Sequence, residues 1–173
     1  ICTDKTGTLT RNEMTIQKIV TPSGEVSLTG IGYRPEGEIM ANGKPLVEGA
    51  LYNEVHDVLT GGSLANDAVL QEEHGEWTIQ GDQTDAAFLV AEYKMRGLHE
   101  EIESRFERIG EVPFTSERKL MSTIQSDAWK ENVVVSKGAP DVLLTRCTEE
   151  RVGGEHRPLT DTRRAQILAE VDR

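Results

Sequence analysis

Three apolar runs follow one another closely in this chain: Ile109 to Phe114, Leu120 to Gln125, and Val133 to Ser136. Each has the length of a strand rather than a helix, and polar links separate them. They predict three strands in succession. Other strands are expected upstream. Residues 11–20 place Met14, Ile16 and Ile19-Val20 in a strand pattern, and residues 24–30 alternate Val26 and Leu28. Asn42-Gly43 after Ile39-Met40, and His74-Gly75 between Val69-Leu70 and Trp77, are hairpin signals.

Helices are expected between and after these strands. Leu51, Val55, Val58 and Leu59 share a helical face, with Gly61-Gly62 as the stop. Residues 84–96 form a second helix, capped by Asp82 or Thr84 and stopped by Gly97. Pro140 opens a short helix that ends near Cys147, residues 148–158 read as a polar loop, and residues 161–172 as an amphipathic helix. The fold class is α+β, an antiparallel β-sheet flanked by helices.

At 173 residues there is room for one domain with a proper core. Thirty acidic against 19 basic residues give a formal charge of -11, which argues against nucleic acid as a partner. It also repels a phosphorylated ligand, so such a ligand needs a local basic cluster. No run of apolar residues is long enough to span a bilayer. Cys2 and Cys147 make no disulfide framework and are expected as free thiols. The histidines at 56, 74, 99 and 156 lack metal-ligand spacing.

Chemistry concentrates in Asp4-Lys5-Thr6-Gly7-Thr8-Leu9-Thr10. Asp4 can act as a nucleophile towards phosphorus. Lys5 supplies charge where phosphate must be neutralised, and Thr6 and Thr8 offer donors to phosphate oxygens. The ordinary alternative is a Thr/Gly-rich turn. Further along, Phe114 sits at a strand end where a purine can stack on its face. A core Phe at a strand terminus is the alternative. Lys119 lies five residues on and could meet ribose or phosphate, although an exposed strand-end Lys has the same pattern. Met121 is soft enough to pack under a purine, or is simply core. Lys137-Gly138 puts a cation at a strand end beside a residue that permits close backbone approach; a surface Lys before a turn would look the same. Asp82 and Asp85 fall at a helix start, where capping alone would account for them.

Taken together, these segments resemble P-type cation-transporting ATPases. The aspartyl string is similar to their phosphorylation motif. Residues 113–122, Lys137-Gly138-Ala139-Pro140-Asp141 and Gly81-Asp82-Gln83-Thr84-Asp85-Ala86-Ala87 look like their nucleotide-binding domain. Thr29-Gly30-Ile31-Gly32-Tyr33-Arg34-Pro35-Glu36-Gly37-Glu38 is similar to a loop of the calcium-pump-like branch. The resemblance implies that residues 1–10 belong to a phosphorylation domain. Residues 11–173 would be a nucleotide-binding domain without its last strand. It further implies a cytoplasmic domain of an integral membrane protein, partnered by the remaining phosphorylation, actuator and transmembrane domains and by a transported cation.

In that scheme ATP is held through Asp82, Thr84, Asp85, Phe114, Lys119, Met121, Lys137 and Gly138, and Asp4 accepts the γ-phosphate. Mg²⁺ is held by Asp4 and the Thr6 carbonyl together with an acidic residue elsewhere. Two positions depart from the pattern: Asp85 stands where relatives usually carry Glu as acceptor for the base amino group, and Ser116 where calcium pumps of animal muscle often carry Arg. Such a piece is expected to bind nucleotide weakly and not to turn over.

Two other readings fit parts of the sequence. A haloacid-dehalogenase-like phosphatase shares the aspartyl logic, but would normally carry a second Asp where Thr6 stands. A non-catalytic nucleotide sensor accounts for Phe114 and Lys137 but leaves Asp4 without a purpose. No Walker-type phosphate loop occurs.

Overall fold

The computed structural model describes residues 13–171. Two short hairpins open it. Strands β1 (Lys18–Thr21), β2 (Gly24–Leu28), β3 (Ile39–Ala41) and β4 (Lys44–Pro45) form an antiparallel sheet in that order. Ile19 pairs with Val26 and Leu28 with Ile39. Period-two alternation turns all four side chains to one buried face. The link between β2 and β3 closes on itself, with Thr29 N–H donating to the Glu38 carbonyl at 3.0 Å. Lys94 Nζ donates to the Thr29 carbonyl at 2.8 Å from another part of the chain.

Helix α1 (Ala50–Leu64) packs on that face together with α2 (Gln83–Tyr93) and α3 (Leu98–Arg105). Val55 and Leu59 of α1, Ala91 of α2, Met95 and Leu98 join Ile19, Val26, Leu28 and Ile39 in one core. Val55 and Leu59 are fully buried, and each such side chain contributes about 1.5–3 kcal/mol through removal from water. Between α1 and α2 runs the hairpin β5 (Val69–Glu73) and β6 (Glu76–Gln80), whose turn uses His74 and Gly75 at positive φ.

The second large sheet is β7 (Phe106–Thr115), β8 (Leu120–Asp127) and β9 (Asn132–Gly138), antiparallel with β8 in the centre. It meets the helices at the end of α1. The Leu64 carbonyl accepts from Thr123 Oγ1 at 3.0 Å and from Gln125 Nε2 at 3.1 Å, all three groups being buried. A helix-end carbonyl, which has no partner within its helix, is thereby satisfied by the central strand. Helix α4 (Pro140–Arg146), the hairpin β10 (Glu149–Val152) and β11 (Glu155–Pro158), and helix α5 (Asp161–Val171) complete the described residues.

The α+β class and the three consecutive strands are as the sequence predicts. Several boundaries differ. The strands of the described residues form separate antiparallel sheets rather than one. Helix α1 runs through Gly61-Gly62, because those glycines face packed neighbours: a Cβ on Gly62 would run into the Phe88 ring, and one on Gly61 would touch Val135. Val58 is exposed and Glu54 takes the buried position on α1. Helix α2 ends at Tyr93, and Gly97 begins α3 instead of stopping α2. Residues 148–158 form the hairpin β10–β11, not an irregular loop, turning at Gly153-Gly154. Its strands are charged on both faces, so the alternation that marks a half-buried strand is missing. Cys147 is a free thiol, while Cys2 lies outside the described residues.

Candidate functional site

Strand register brings the sequence-predicted residues together. Met121 of β8 lies opposite Lys137 of β9, and Leu120 lies opposite Gly138. Thr115 pairs with Leu120 from the other side, which sets Phe114 at the same end of the sheet. Phe114 is 59% exposed, an uncommon state for a large apolar ring, so its face is open to a ligand. Gly138 fits so closely against β8 that any Cβ there would run into the Lys119 carbonyl and Leu120. The glycine is thus needed for sheet pairing whatever else it does.

The opposite wall is the start of α2. Asp82 caps it, its Oδ1 accepting from Thr84 N–H at 2.7 Å and Asp85 N–H at 3.4 Å. The Thr84 N–H bond holds the Asp82 carboxyl below its usual range; burial opposes this, and the Lys137 charge adds to it. Asp85 and Phe88, three residues apart, project from one face of the helix. Asp85 reaches across to β9: Lys137 Nζ stands 2.5 Å from its Oδ1. Its Oδ2 accepts the Asp67 N–H at 3.0 Å. Lys137 Nζ also lies 5.3 Å from the centre of the Phe88 ring, within cation–π range.

A third segment, residues 65–68, closes the site. Asn66 Nδ2 donates to the Asp85 carbonyl at 2.7 Å and to the Gly62 carbonyl at 3.3 Å. It thus ties the end of α1 to the start of α2. Between these walls lies a cavity of about 580 Å³ that includes Phe114, Met121, Lys137, Gly138, Asp82 and Asp85. Thr84 also lines it. A cavity of this size suits a ligand of roughly nucleotide dimensions. The Phe88 and Phe114 rings and the Met121 sulfur suit a flat ring, and Lys137 is the one cation among the lining residues.

Lys119 is not part of this lining. It sits exposed in the β7–β8 turn at φ 54, with its carbonyl accepting the Ala139 N–H at 3.0 Å. Asp4, Lys5, Thr6 and Thr8, and with them Asp4 and Thr6 as the expected Mg²⁺ ligands, lie outside the described residues. Among the described residues no group of three or more His, Cys, Asp or Glu side chains is placed to hold a metal ion. Sequence reasoning missed Phe88, Asp67 and Ala139. Phe88 was open to detection, since it follows Asp85 at helical spacing.

Comparison with known proteins agrees with the resemblance. The family model described as P-type ATPase, cytoplasmic domain N, matches residues 54–173. A protein named probable cation-transporting ATPase F from Mycobacterium tuberculosis is 38% identical over 169 residues, covering 97% of this chain and 18% of its own length. The calcium-transporting ATPase of Bacillus subtilis is 32% identical, with 98% of this chain and 19% of that protein covered. Calcium-transporting ATPase type 2C member 1 of Bos taurus is 35% identical, with 95% and 17% covered. The chain belongs to the P-type ATPase family, as its cytoplasmic N domain. It spans less than a fifth of the length of each of these relatives. No helix among the described residues is long and apolar enough to cross a membrane.

Proposed function

We propose that this chain holds ATP for a cation pump that works through an aspartyl-phosphate. The observation that carries the reading is the convergence of Phe114, Met121, Lys137 and Gly138 from the three-stranded sheet with Asp82, Thr84 and Asp85 from α2 around one cavity. In this reading the adenine stacks on Phe114, and the Lys137 ammonium faces the ribose-phosphate side. Residues 1–10 are part of a phosphorylation domain and residues 11–173 of the nucleotide-binding domain. Asp4 is the phosphoryl acceptor, with Lys5, Thr6 and Thr8 beside it. Its carboxylate oxygen forms a bond to the γ-phosphorus as the bond to the β–γ bridging oxygen breaks, and ADP leaves with that oxygen. Asp4 and the Thr6 carbonyl would hold Mg²⁺, which supplies positive charge to the phosphoryl group.

The partners are the other domains of the same pump, in a protein whose nucleotide domain faces the cytoplasm. Calcium is the proposed cargo. Two of the three relatives above are named calcium-transporting, and the Thr29–Glu38 loop is similar to that branch.

Titration of the chain with ADP, followed by calorimetry or NMR, tests the site. The expected dissociation constant is about 0.1–10 mM, or roughly 3–5 kcal/mol. Absence of binding at about 10 mM would overturn the reading. For Asp4, the full-length protein is incubated with γ-labelled ATP and Mg²⁺. Acid-stable, hydroxylamine-sensitive label is expected, and Asp4→Asn should abolish it. Label that survives in Asp4→Asn would reject the nucleophile.

A further inference from the structure

Phe114 is displayed by an irregular stretch of strand. Val112 of β7 pairs with Ser122 and Thr115 with Leu120, so Pro113 and Phe114 together stand against the single residue Met121. Such an extra residue interrupts the ladder and bends the strand. Pro113 has no N–H to give to a ladder, which suits this position. Among the described residues β7 is also an edge of its sheet, with β8 as its one neighbour. The aromatic face thus projects from a segment that strand pairing alone does not fix.

Arg118, half-buried in the β7–β8 turn, supplies what the ladder lacks there. Its Nη1 donates to the Val112 carbonyl at 3.3 Å and to the Pro113 carbonyl at 3.2 Å, and its Nη2 donates to Ser122 Oγ at 3.2 Å. Ser122 Oγ in turn lies 2.8 Å from Ser136 Oγ on β9, so the guanidinium is anchored through two strands. Among the described residues no carboxylate is paired with Arg118, and its side-chain donors go to neutral acceptors. Successive residues of a strand face opposite ways. Met121 and Lys137 line the cavity, so Ser122 and Ser136, the next pair along, turn to the other side of the sheet. Arg118 is not among the lining residues and holds the strand from behind.

We infer that Arg118 is a positioning residue for base recognition: its guanidinium fork braces the bulged backbone at Val112 and Pro113 and so fixes Phe114 as a platform for the adenine. This rests on the nucleotide reading given above, and adds to it a residue that does not touch the ligand. A platform already fixed before binding loses less freedom when the ligand arrives. A planar guanidinium holds separate acceptors in fixed directions at once, which a single flexible ammonium does not match. Loss of Arg118 therefore acts on the base, which all adenine nucleotides share, and not on the phosphates.

NMR of the chain, free and titrated with ADP and with AMP, tests this. In the ligand-free Arg118→Ala variant the order parameter of the Phe114 amide should fall from the rigid range, about 0.85, towards about 0.6, while the amides of Met121 and Ser122 in β8 keep theirs. Both nucleotides should bind at least about threefold more weakly, and by the same factor, as part of the stacking is lost. Arg118→Lys keeps the charge and should recover less than half of that loss. Ser122→Ala removes the acceptor of Nη2 and should act in the same direction to a smaller extent. Circular dichroism checks that each variant is folded, and Arg118→Lys and Ser122→Ala carry the test if Arg118→Ala is not. Wild-type order at Phe114 in the variants, or wild-type affinity, would overturn the inference. A greater loss for ADP than for AMP would make Arg118 a phosphate ligand instead, and full recovery in Arg118→Lys would assign the effect to charge rather than to the fork. Each of these outcomes leaves the nucleotide site standing. No binding of either nucleotide by wild type would overturn the nucleotide reading and this inference with it.

Discussion

Lys137 of β9 and Asp85 of α2 meet at 2.5 Å inside the cavity, both largely buried, so the site's cation is already balanced by a carboxylate before any ligand arrives. The pair joins the sheet to the helix. It also explains how a chain of formal charge -11 keeps an ammonium fixed in one place. A ligand phosphate must compete with Asp85 for that ammonium, which is consistent with the modest affinity expected.

Phe114→Ala and Lys137→Ala should therefore differ in kind. Phe114 is mostly exposed, so its removal leaves the core intact. Nucleotide binding should weaken by about 1–2 kcal/mol, the range for loss of base stacking. The midpoint of chemical denaturation should scarcely move. Lys137→Ala should weaken binding and also destabilise the fold by about 1–3 kcal/mol, because it strips the partner from a buried carboxylate. Urea denaturation alongside ligand titration measures both quantities. Equal stability losses in the two variants would contradict this distinction.

A second test approaches the pocket from behind. A Cβ at Gly62 would overlap the Phe88 ring, over which the Lys137 ammonium also lies. Gly62→Ala gains roughly 1 kcal/mol in helix propensity. Overpacking costs about 1–3 kcal/mol and should win. The net expectation is a loss of up to about 2 kcal/mol in stability, together with weaker ADP binding as Phe88 is pushed into the cavity. Gly61→Ala serves as the control, since its Cβ would make only ordinary contact with Val135 at 3.8 Å. It should be neutral or stabilising and leave binding unchanged. Parallel thermal melts and titrations of the two variants decide the matter.

What the sequence made legible follows the range of the forces involved. Asn42-Gly43 and His74-Gly75 announced their hairpins because turn geometry is local. Strand ends placed Phe114, Met121 and Lys137 near one another because register carries over short links. Gly61-Gly62 misled, since a helix stop and a close-packed helix face call for the same residue. The hairpin β10–β11 was missed because its strands carry little apolar alternation. Asp67 was beyond reach from sequence. Its place depends on Arg108, 41 residues away, and on Asp85, 18 residues away, neither of which leaves any periodic trace.

Glu54 was invisible for the same reason, and it supports the last prediction. It sits on α1 with 5% exposure. Its Oε2 accepts the Ser23 N–H at 2.9 Å, and its Oε1 accepts the Ser23 hydroxyl at 2.8 Å and the Gly153 N–H at 2.7 Å. One carboxylate thus fastens the β1–β2 turn and the β10–β11 turn to the central helix. Burial alone would push its carboxyl up. Hydrogen bonds from Gly153, Thr21 and Ser23 outweigh that and hold it below the usual carboxylate range. A carboxyl depressed in the folded state binds protons less readily there than in the unfolded chain. Its stabilising contribution is therefore complete above the unfolded value, at pH of about 5 and higher, and is lost as pH falls through the folded value. Glu54→Gln puts an amide N–H₂ among donors that need an acceptor, so it should cost about 1–3 kcal/mol at pH 7. The deficit relative to wild type should shrink as the pH is lowered from 5 towards about 3. Urea denaturation of both proteins across that range measures it. A deficit that stays constant with pH would mean that the carboxylate charge is not what holds the two turns.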